Sequence, residues 1–368
     1  MSFAILGLGT AVPATVYDQD EGLRIAKSLC CRTVEQATWL PVMYEGTHIR
    51  KRHMVLPRQL VDDVLQGTRN SNSIFLPSGA PDDRGPTTMQ RMKTYAAEAG
   101  PLALKAARQA LAQSELHADV FTHLITVSCT GFHAPGVDTE IIEGLRLSPT
   151  IARTHIGFMG CHGALNGVSV GRTFTTADPE ASVLLCAVEL CSVHYFYGWD
   201  PGKVIANAIF ADGAAAMVGV SGSAAPADAW RATACGANLF PGTRDAMTWL
   251  IGDHGYVMHL SKHIPGLIAA HLRPWIEQWL DQHRLALEDV ETWAVHPGGP
   301  RIVAAVEEAL ALPPDKTRTS HDIFADFGNM SSPTILFIID ALRKRNAPRP
   351  CVALGFGPGL AVETTLFL

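Results

Sequence analysis

The sequence predicts an α/β fold. Short apolar or β-branched runs bounded by glycine alternate with longer stretches whose apolar residues recur at i, i+3 and i+4. The chain is 368 residues long and 47% hydrophobic, so it can bury a large core. A composition shift at Ser221-Gly-Ser-Ala-Ala-Pro-Ala-Asp228 marks a junction between residues 1–222 and 223–368. Each side holds a strand–helix–strand set of similar size, which suggests a duplicated architecture of layered sheet and helix.

In chain order, Ala4–Leu8, His123–Ser128, Ser182–Val188, Ala214–Val220, Thr292–Val295 and Val352–Phe356 read as buried strands. Helical periodicity covers Thr94–Leu111, His162–Thr175, Ile264–Leu280, Ile302–Leu310 and Pro333–Arg343. Pro57 to Thr88, rich in Asn, Ser, Asp, Gly and Pro, is expected to be a long surface excursion, either a mobile loop or the rim of a tunnel.

Composition narrows the function. With 35 acidic against 29 basic residues and no long basic run, no nucleic-acid partner is expected. Eight cysteines without a C-x-x-C pair point to a reducing, cytoplasmic setting. The opening Met1–Gly7 carries no basic leader, and no apolar run approaches the roughly 18 residues that span a bilayer, so neither signal peptide nor membrane span is expected.

Three small-residue turns carry the chemistry. Cys161 lies in Gly157–Ala164, between the strand-like Arg153–Phe158 and a helical run, where helix dipoles favour a thiolate. Flanking Gly160 and Gly163 are expected to clear space for an acyl thioester. His296 closes an apolar run and precedes Pro297-Gly-Gly-Pro300; Asn329 sits in Phe327-Gly-Asn-Met-Ser-Ser332 ahead of an apolar helix. The competing readings are an inert core thiol, a satisfied structural histidine and a helix-capping asparagine. Together the three supply what decarboxylative Claisen condensation needs: a nucleophile that accepts an acyl group, and imidazole and amide donors for a developing enolate. In this reading a charged His296 stabilises the Cys161 thiolate. No metal or redox cofactor is required.

Other motifs lack their context. Gly167-Val-Ser-Val-Gly171 matches a serine-hydrolase elbow but falls inside a helical run. Gly7-Leu-Gly9 lacks the third glycine of a dinucleotide fingerprint, and His254, His259 and His263 have no metal-binding spacing.

These residues resemble the type III polyketide synthases, the chalcone-synthase-like branch of the thiolase fold. The resemblance spans nearly the whole chain, including Arg91-Met-Lys-Thr-Tyr95, Ile209-Phe-Ala-Asp-Gly-Ala-Ala215 and the tail Gly355-Phe-Gly-Pro-Gly-Leu-Ala-Val-Glu-Thr364. It implies a duplicated αβαβα architecture, a homodimer and CoA-thioester substrates, with Cys161, His296 and Asn329 as catalytic residues. It also implies Phe210 as one gatekeeper, with Met258 where a second phenylalanine would stand, and Cys129, Ala134, Cys191, His194, Trp249 and Pro358 around the cavity. CoA phosphates would fall to Arg50, within Arg50-Lys-Arg52, and Arg301. Small residues at 134 and 191 are similar to bacterial members that take long fatty acyl starters. The expected reaction is therefore iterative condensation of malonyl-CoA onto an acyl-CoA starter, closing to an alkylresorcinol or alkylpyrone, with an acyl carrier protein or fatty acid synthase as a candidate starter donor. Competing readings are a malonyl-only, tetrahydroxynaphthalene-type synthase, a single-condensation ketoacyl-carrier-protein synthase III-like enzyme, and a non-catalytic acyl-CoA-binding scaffold.

Overall fold

The computed structural model describes residues 2–368. The first half runs β1 (Phe3–Ala11), β2 (Thr15–Asp18), α1 (Gln19–Cys30), α2 (Val34–Glu45), β3 (Lys51–Met54), α3 (Arg58–Gln66) and α4 (Thr88–Ser114). It continues through β4 (His123–Ser128), α5 (Val137–Leu145), β5 (Ala152–Gly157), α6 (Gly163–Ala177), β6 (Ser182–Leu190), α7 (Pro201–Ile209) and β7 (Asp212–Ser221). The second half holds β8 (Arg231–Leu239), β9 (Met247–Gly252), β10 (Gly255–Leu260), α8 (Ile264–Asp281) and β11 (Thr292–Val295). It closes with α9 (Pro300–Leu310), α10 (Arg318–Phe327), α11 (Pro333–Lys344), β12 (Cys351–Gly357) and β13 (Ala361–Phe367).

One mixed sheet of nine strands, in the order β11-β12-β13-β8-β1-β7-β6-β4-β5, organises the molecule. The same pattern appears in each half. β1 and β7, then β7 and β6, pair antiparallel and β6 and β4 parallel; β8 and β13, then β13 and β12, pair antiparallel and β12 and β11 parallel. The halves join where Phe3 and Ala4 of β1 pair with Ala232 and Arg231 of β8. They are not equal, because β5 has no counterpart strand in the second half: there a single backbone bond, Trp293 N to Lys316 O at 3.2 Å, borders β11.

The two helices that follow the cysteine and asparagine turns form the middle layer. α6 and α11 each pack on strands of both halves. That position explains their sequences. Pro333 through Asp340 are buried without interruption, as expected for a helix apolar all round. α6 instead thins its surface with small residues: a Cβ on Gly167 would approach Leu185, and one on Gly163 would lie 2.9 Å from Val127. Gly167–Gly171 is thus a helix-packing face, in accord with its rejection as a nucleophile elbow.

The Pro57–Thr88 segment departs from a mobile loop. It contains α3, whose Asp63 carboxylate accepts backbone bonds from Asn70 (2.8 Å) and Ser71 (2.6 Å) and so folds the following turn back. Phe75 and Leu76 are buried. Arg91 pins the segment's far end, donating to the carbonyls of Pro86 (2.8 Å), Val193 (2.6 Å) and Tyr195 (3.0 Å). Among the described residues no helix is long and apolar enough to cross a membrane.

Candidate active site

Cys161 stands one residue before the N-cap of α6, with Gly163 N bonded to Gly160 O at 2.9 Å in a tight turn. Gly160 is required by its backbone, at φ +80°, and by Pro358, whose ring occupies the place of a Cβ. It borders the active-site cavity, but Gly163 faces Val127 in the core, so that second glycine serves helix packing rather than the acyl group. The thiol is 7% exposed.

Asn329 is brought to the sulfur by a backbone splice. Its N–H donates to Ile209 O at 2.8 Å and its carbonyl accepts from Ala211 N at 2.9 Å, so the peptide units on either side of Phe210 hold it. The side-chain Oδ1 accepts from Ser331 N (2.7 Å), which directs Nδ2 toward Cys161 Sγ (3.9 Å) and Gly298 O (3.4 Å). Asn329 does not cap α11; Ser332 holds that position.

His296 directly follows β11, its N–H bonded to Leu354 O at 2.8 Å, and Gly298 follows in the turn that Asn329 reaches. The ring is 1% exposed and neither ring nitrogen has a hydrogen-bond partner. A structural histidine would spend at least one nitrogen on a neighbour. This one has no partner among the protein groups described.

Burial acts on both groups. It pushes the Cys161 thiol up to about 11, and it lowers His296 to about 3 with His162 nearby adding to the effect. Burial thus favours the neutral thiol and the neutral imidazole, the opposite of the charged pair expected from the sequence. Support for the thiolate comes from the Ser331 hydroxyl, the Asn329 amide and the N-terminus of α6.

Cys161 opens into a narrow cavity with a free volume of about 50 Å³. Phe210, Cys129, Cys191, His194, Trp249, Met258 and Pro358 line it as expected. Met258 and Trp249 face each other across the β9–β10 hairpin, so one element delivers both. Trp249 Nε1 donates to Cys129 O at 2.8 Å, and His194 stacks on Tyr256 with ring centroids 4.2 Å apart. Ala134, expected where relatives carry a residue reaching over from the partner subunit, does not line this protomer's own cavity. It is exposed and lines a separate surface depression with Phe132 and His133, because the chain beyond Gly131 is turned outward over the Tyr95 ring.

The CoA-phosphate expectations fare differently from one another. Arg52 is 1% exposed and donates to the carbonyls of Asn207 (2.7 Å) and Phe210 (2.8 Å), so it braces the gatekeeper. Arg50 is paired with Asp326 at 2.8 Å, and Arg301 is exposed on the first turn of α9; neither lines the cavity. The cation in the cavity wall is Lys203, which lies over the Phe196 ring and 3.0 Å from Asp200. Sequence reading passed over it, and over Ser331 and Glu189. Glu189, fully buried, accepts from Cys129 N (2.9 Å), Thr130 Oγ1 (2.7 Å) and Ser332 Oγ (2.6 Å), which ties the end of β4 to the asparagine loop. A lone carboxylate within the apolar run Ser182–Leu190 was its signal.

A cysteine at a helix N-terminus, an amide aimed at its sulfur and an unpartnered imidazole, all between duplicated half-sheets, define an acyl-transferring condensing enzyme. Residues 2–223 match the family described as "Chalcone and stilbene synthases, N-terminal domain" and residues 232–368 its C-terminal domain. The chain belongs to the chalcone and stilbene synthase family, and it is a type III polyketide synthase of the thiolase fold. It is 30% identical over 99% of its length, and 90% of the relative's, to the "alpha-pyrone synthesis polyketide synthase-like Pks18" of Mycobacterium tuberculosis. It is 28% identical, over 99% and 92% of the two chains, to the 1,3,6,8-tetrahydroxynaphthalene synthase of Streptomyces peucetius. The crystal structure of PKS-I from the brown alga Ectocarpus siliculosus superposes with a TM-score of 0.90 at 31% identity, covering 100% of this chain and 98% of that one.

Proposed function

We propose that the protein extends a long-chain acyl-CoA starter with several malonyl units and cyclises the product to an alkylpyrone or alkylresorcinol. The observation that carries this is the cavity itself, which joins Cys161 to a wall built from Phe196, Ala206, Phe210, Met247 and Met258. Such a wall suits an alkyl tail. The similarity to a relative named for α-pyrone synthesis supports the same reading.

In this mechanism His296 accepts the Cys161 proton as Sγ attacks the starter carbonyl, and CoA leaves as the thiol. A malonyl thioester then places its carbonyl oxygen against Asn329 Nδ2 and the His296 ring. Loss of carbon dioxide leaves an enolate whose charge meets those donors, and its carbon attacks the acyl-Cys161 thioester. Sγ departs as thiolate and the lengthened chain, now on CoA, can be reloaded. Lys203 is better placed than Arg50 or Arg301 to meet the CoA end, and the active unit is a homodimer.

Mass spectrometry of products from labelled malonyl-CoA and starters from acetyl to stearoyl, run beside Cys161→Ala, tests the reading. Products that keep an intact long tail, and are absent with the variant, support it. The similarity to a tetrahydroxynaphthalene synthase favours the second reading, a malonyl-only product; if no fatty acyl starter is incorporated, that reading replaces the first.

A further inference from the structure

Arg52 of β3 sits in a slot that two glycines and two tyrosine rings leave for it. A Cβ on Gly22 of α1 would lie 2.7 Å from Nη2, and one on Gly328, whose φ is +71°, would lie 2.9 Å from both Cγ and Cδ. The guanidinium lies over the Tyr17 ring, 4.9 Å from its centroid, and over the Tyr44 ring at 5.9 Å. Burying a cation is costly unless it is paired. Here Nε and Nη2 have no hydrogen-bond partner among the described residues, and the buried Asp212 carboxylate is spent on Val55 N and Ser192 N, at 2.7 Å each. Nη1 alone bonds, and it takes two backbone carbonyls, Asn207 O at 2.7 Å and Phe210 O at 2.8 Å.

Those carbonyls frame the segment on which Asn329 is spliced. Asn329 takes Ile209 O and Ala211 N, while Arg52 takes Asn207 O and Phe210 O, so the two residues grip the same stretch of backbone. Arg52 also meets the asparagine loop from behind, where its Cγ and Cδ fill the space beside Gly328. Its strand is docked on α10, which leads into that loop, by Arg50 N to Ala325 O at 2.7 Å. We propose that Arg52 is a positioning residue for enolate formation, clamping the Phe210 segment and Gly328 together so that Asn329 presents Nδ2 at a fixed angle. This rests on the mechanism proposed above, in which the Asn329 amide serves the enolate. Arg52 does not line the cavity, so it acts through Asn329 and not on the substrate. Starter loading, which needs Cys161 and His296, is spared.

A double-mutant cycle tests the proposal, run at a temperature where near-UV circular dichroism shows every variant folded. Arg52→Lys keeps the charge but ends short of the two carbonyls. It is expected to slow carbon dioxide release from malonyl-CoA by about tenfold to a hundredfold, the effect of a small misplacement, with starter loading by intact mass held within about twofold of the parent. In the Asn329→Ala background the same change is expected to add nothing, because one residue acts through the other. A purely structural arginine would slow loading and decarboxylation together, or slow decarboxylation equally in both backgrounds; either result overturns the proposal. If Asn329→Ala alone decarboxylates malonyl-CoA like the parent, the mechanism and this proposal fall together. If Asn329→Ala is slow and Arg52→Lys is not, the proposal falls and the mechanism stands. Should Arg52→Lys fail to fold, Gly22→Ala, which crowds Nη2 from a helical position, takes its place in the same cycle.

Discussion

The imidazole of His162 occupies the space that a Cβ on Gly357 would need. The tail glycine is thus tied to the residue after the nucleophile: His162 is 2% exposed and its Nδ1 is 2.8 Å from Asn166 Oδ1, so the ring has no easy retreat. Gly357→Ala is expected to cost about 1–3 kcal/mol through overpacking and to lower turnover by shifting the Cys161 turn. Urea unfolding and malonyl-CoA consumption check this; a variant as stable and active as the parent would show that the loop yields freely.

Asn329 and Cys161 separate the two halves of the reaction. With Nδ2 3.9 Å from the sulfur, the Asn329 amide is expected, in the proposed mechanism, to serve the enolate while the thiol carries the acyl group. Asn329→Ala is expected to slow condensation by about 10²–10³-fold, the usual effect of removing one oxyanion donor, yet still to load a starter visible by intact mass. Cys161→Ala is expected to load none. If Asn329→Ala condenses within tenfold of the parent, the amide has no special role.

His194 makes stability depend on pH. Nε2–H donates to Thr130 O (2.7 Å) and Nδ1 accepts from Tyr256 N (3.0 Å), an arrangement only the neutral ring can make, and burial lowers its pKa to about 3. The unfolded residue titrates near 6.5, so below that pH the unfolded chain gains a proton that the folded chain refuses. Stability from this group is whole above about pH 6.5 and falls as the pH drops toward 3. Glu189 has the opposite sign: burial raises it to about 7, so its contribution is lost as the pH rises from 4.5 through 7. Comparing His194→Gln with the parent isolates one group. The parent's advantage in urea unfolding is expected to shrink by about 2 kcal/mol between pH 7 and 5; parallel curves would locate the proton elsewhere.

What was legible from sequence follows from how local each signal is. Strands β1, β4, β6, β7, β11 and β12 and helices α4, α6, α8, α9 and α11 announce themselves by their apolar patterns, whereas β8 and β13 of the same sheet were not read as strands. Cys161, His296 and Asn329 stand in glycine turns at element ends, again a local cue. The β9–β10 hairpin has no such pattern, since Leu250 and Ile251 are exposed while Met247 and Tyr256 are buried. Arg52 reads as part of a solvated charge run until Asn207 and Phe210 are seen around it.

Trp249 is expected to limit how long a polyketide can grow. It stands opposite Met258 on the hairpin, turns its edge to His194 and Tyr256 at centroid distances of 5.8 and 5.7 Å, and is anchored by its bond to Cys129 O. A ring locked on three sides is a fixed wall rather than a yielding one, in contrast to the flexible thioether beside it. Trp249→Ala removes the wall without touching Cys161, His296 or Asn329. It is expected to shift products toward additional malonyl-derived units, read directly from product masses with one starter. It is also expected to lower stability by about 3–5 kcal/mol at most, the range for deleting a buried tryptophan, and by less here because the ring is only half-buried. An unchanged product distribution in a folded variant would mean that chain length is set elsewhere along the cavity.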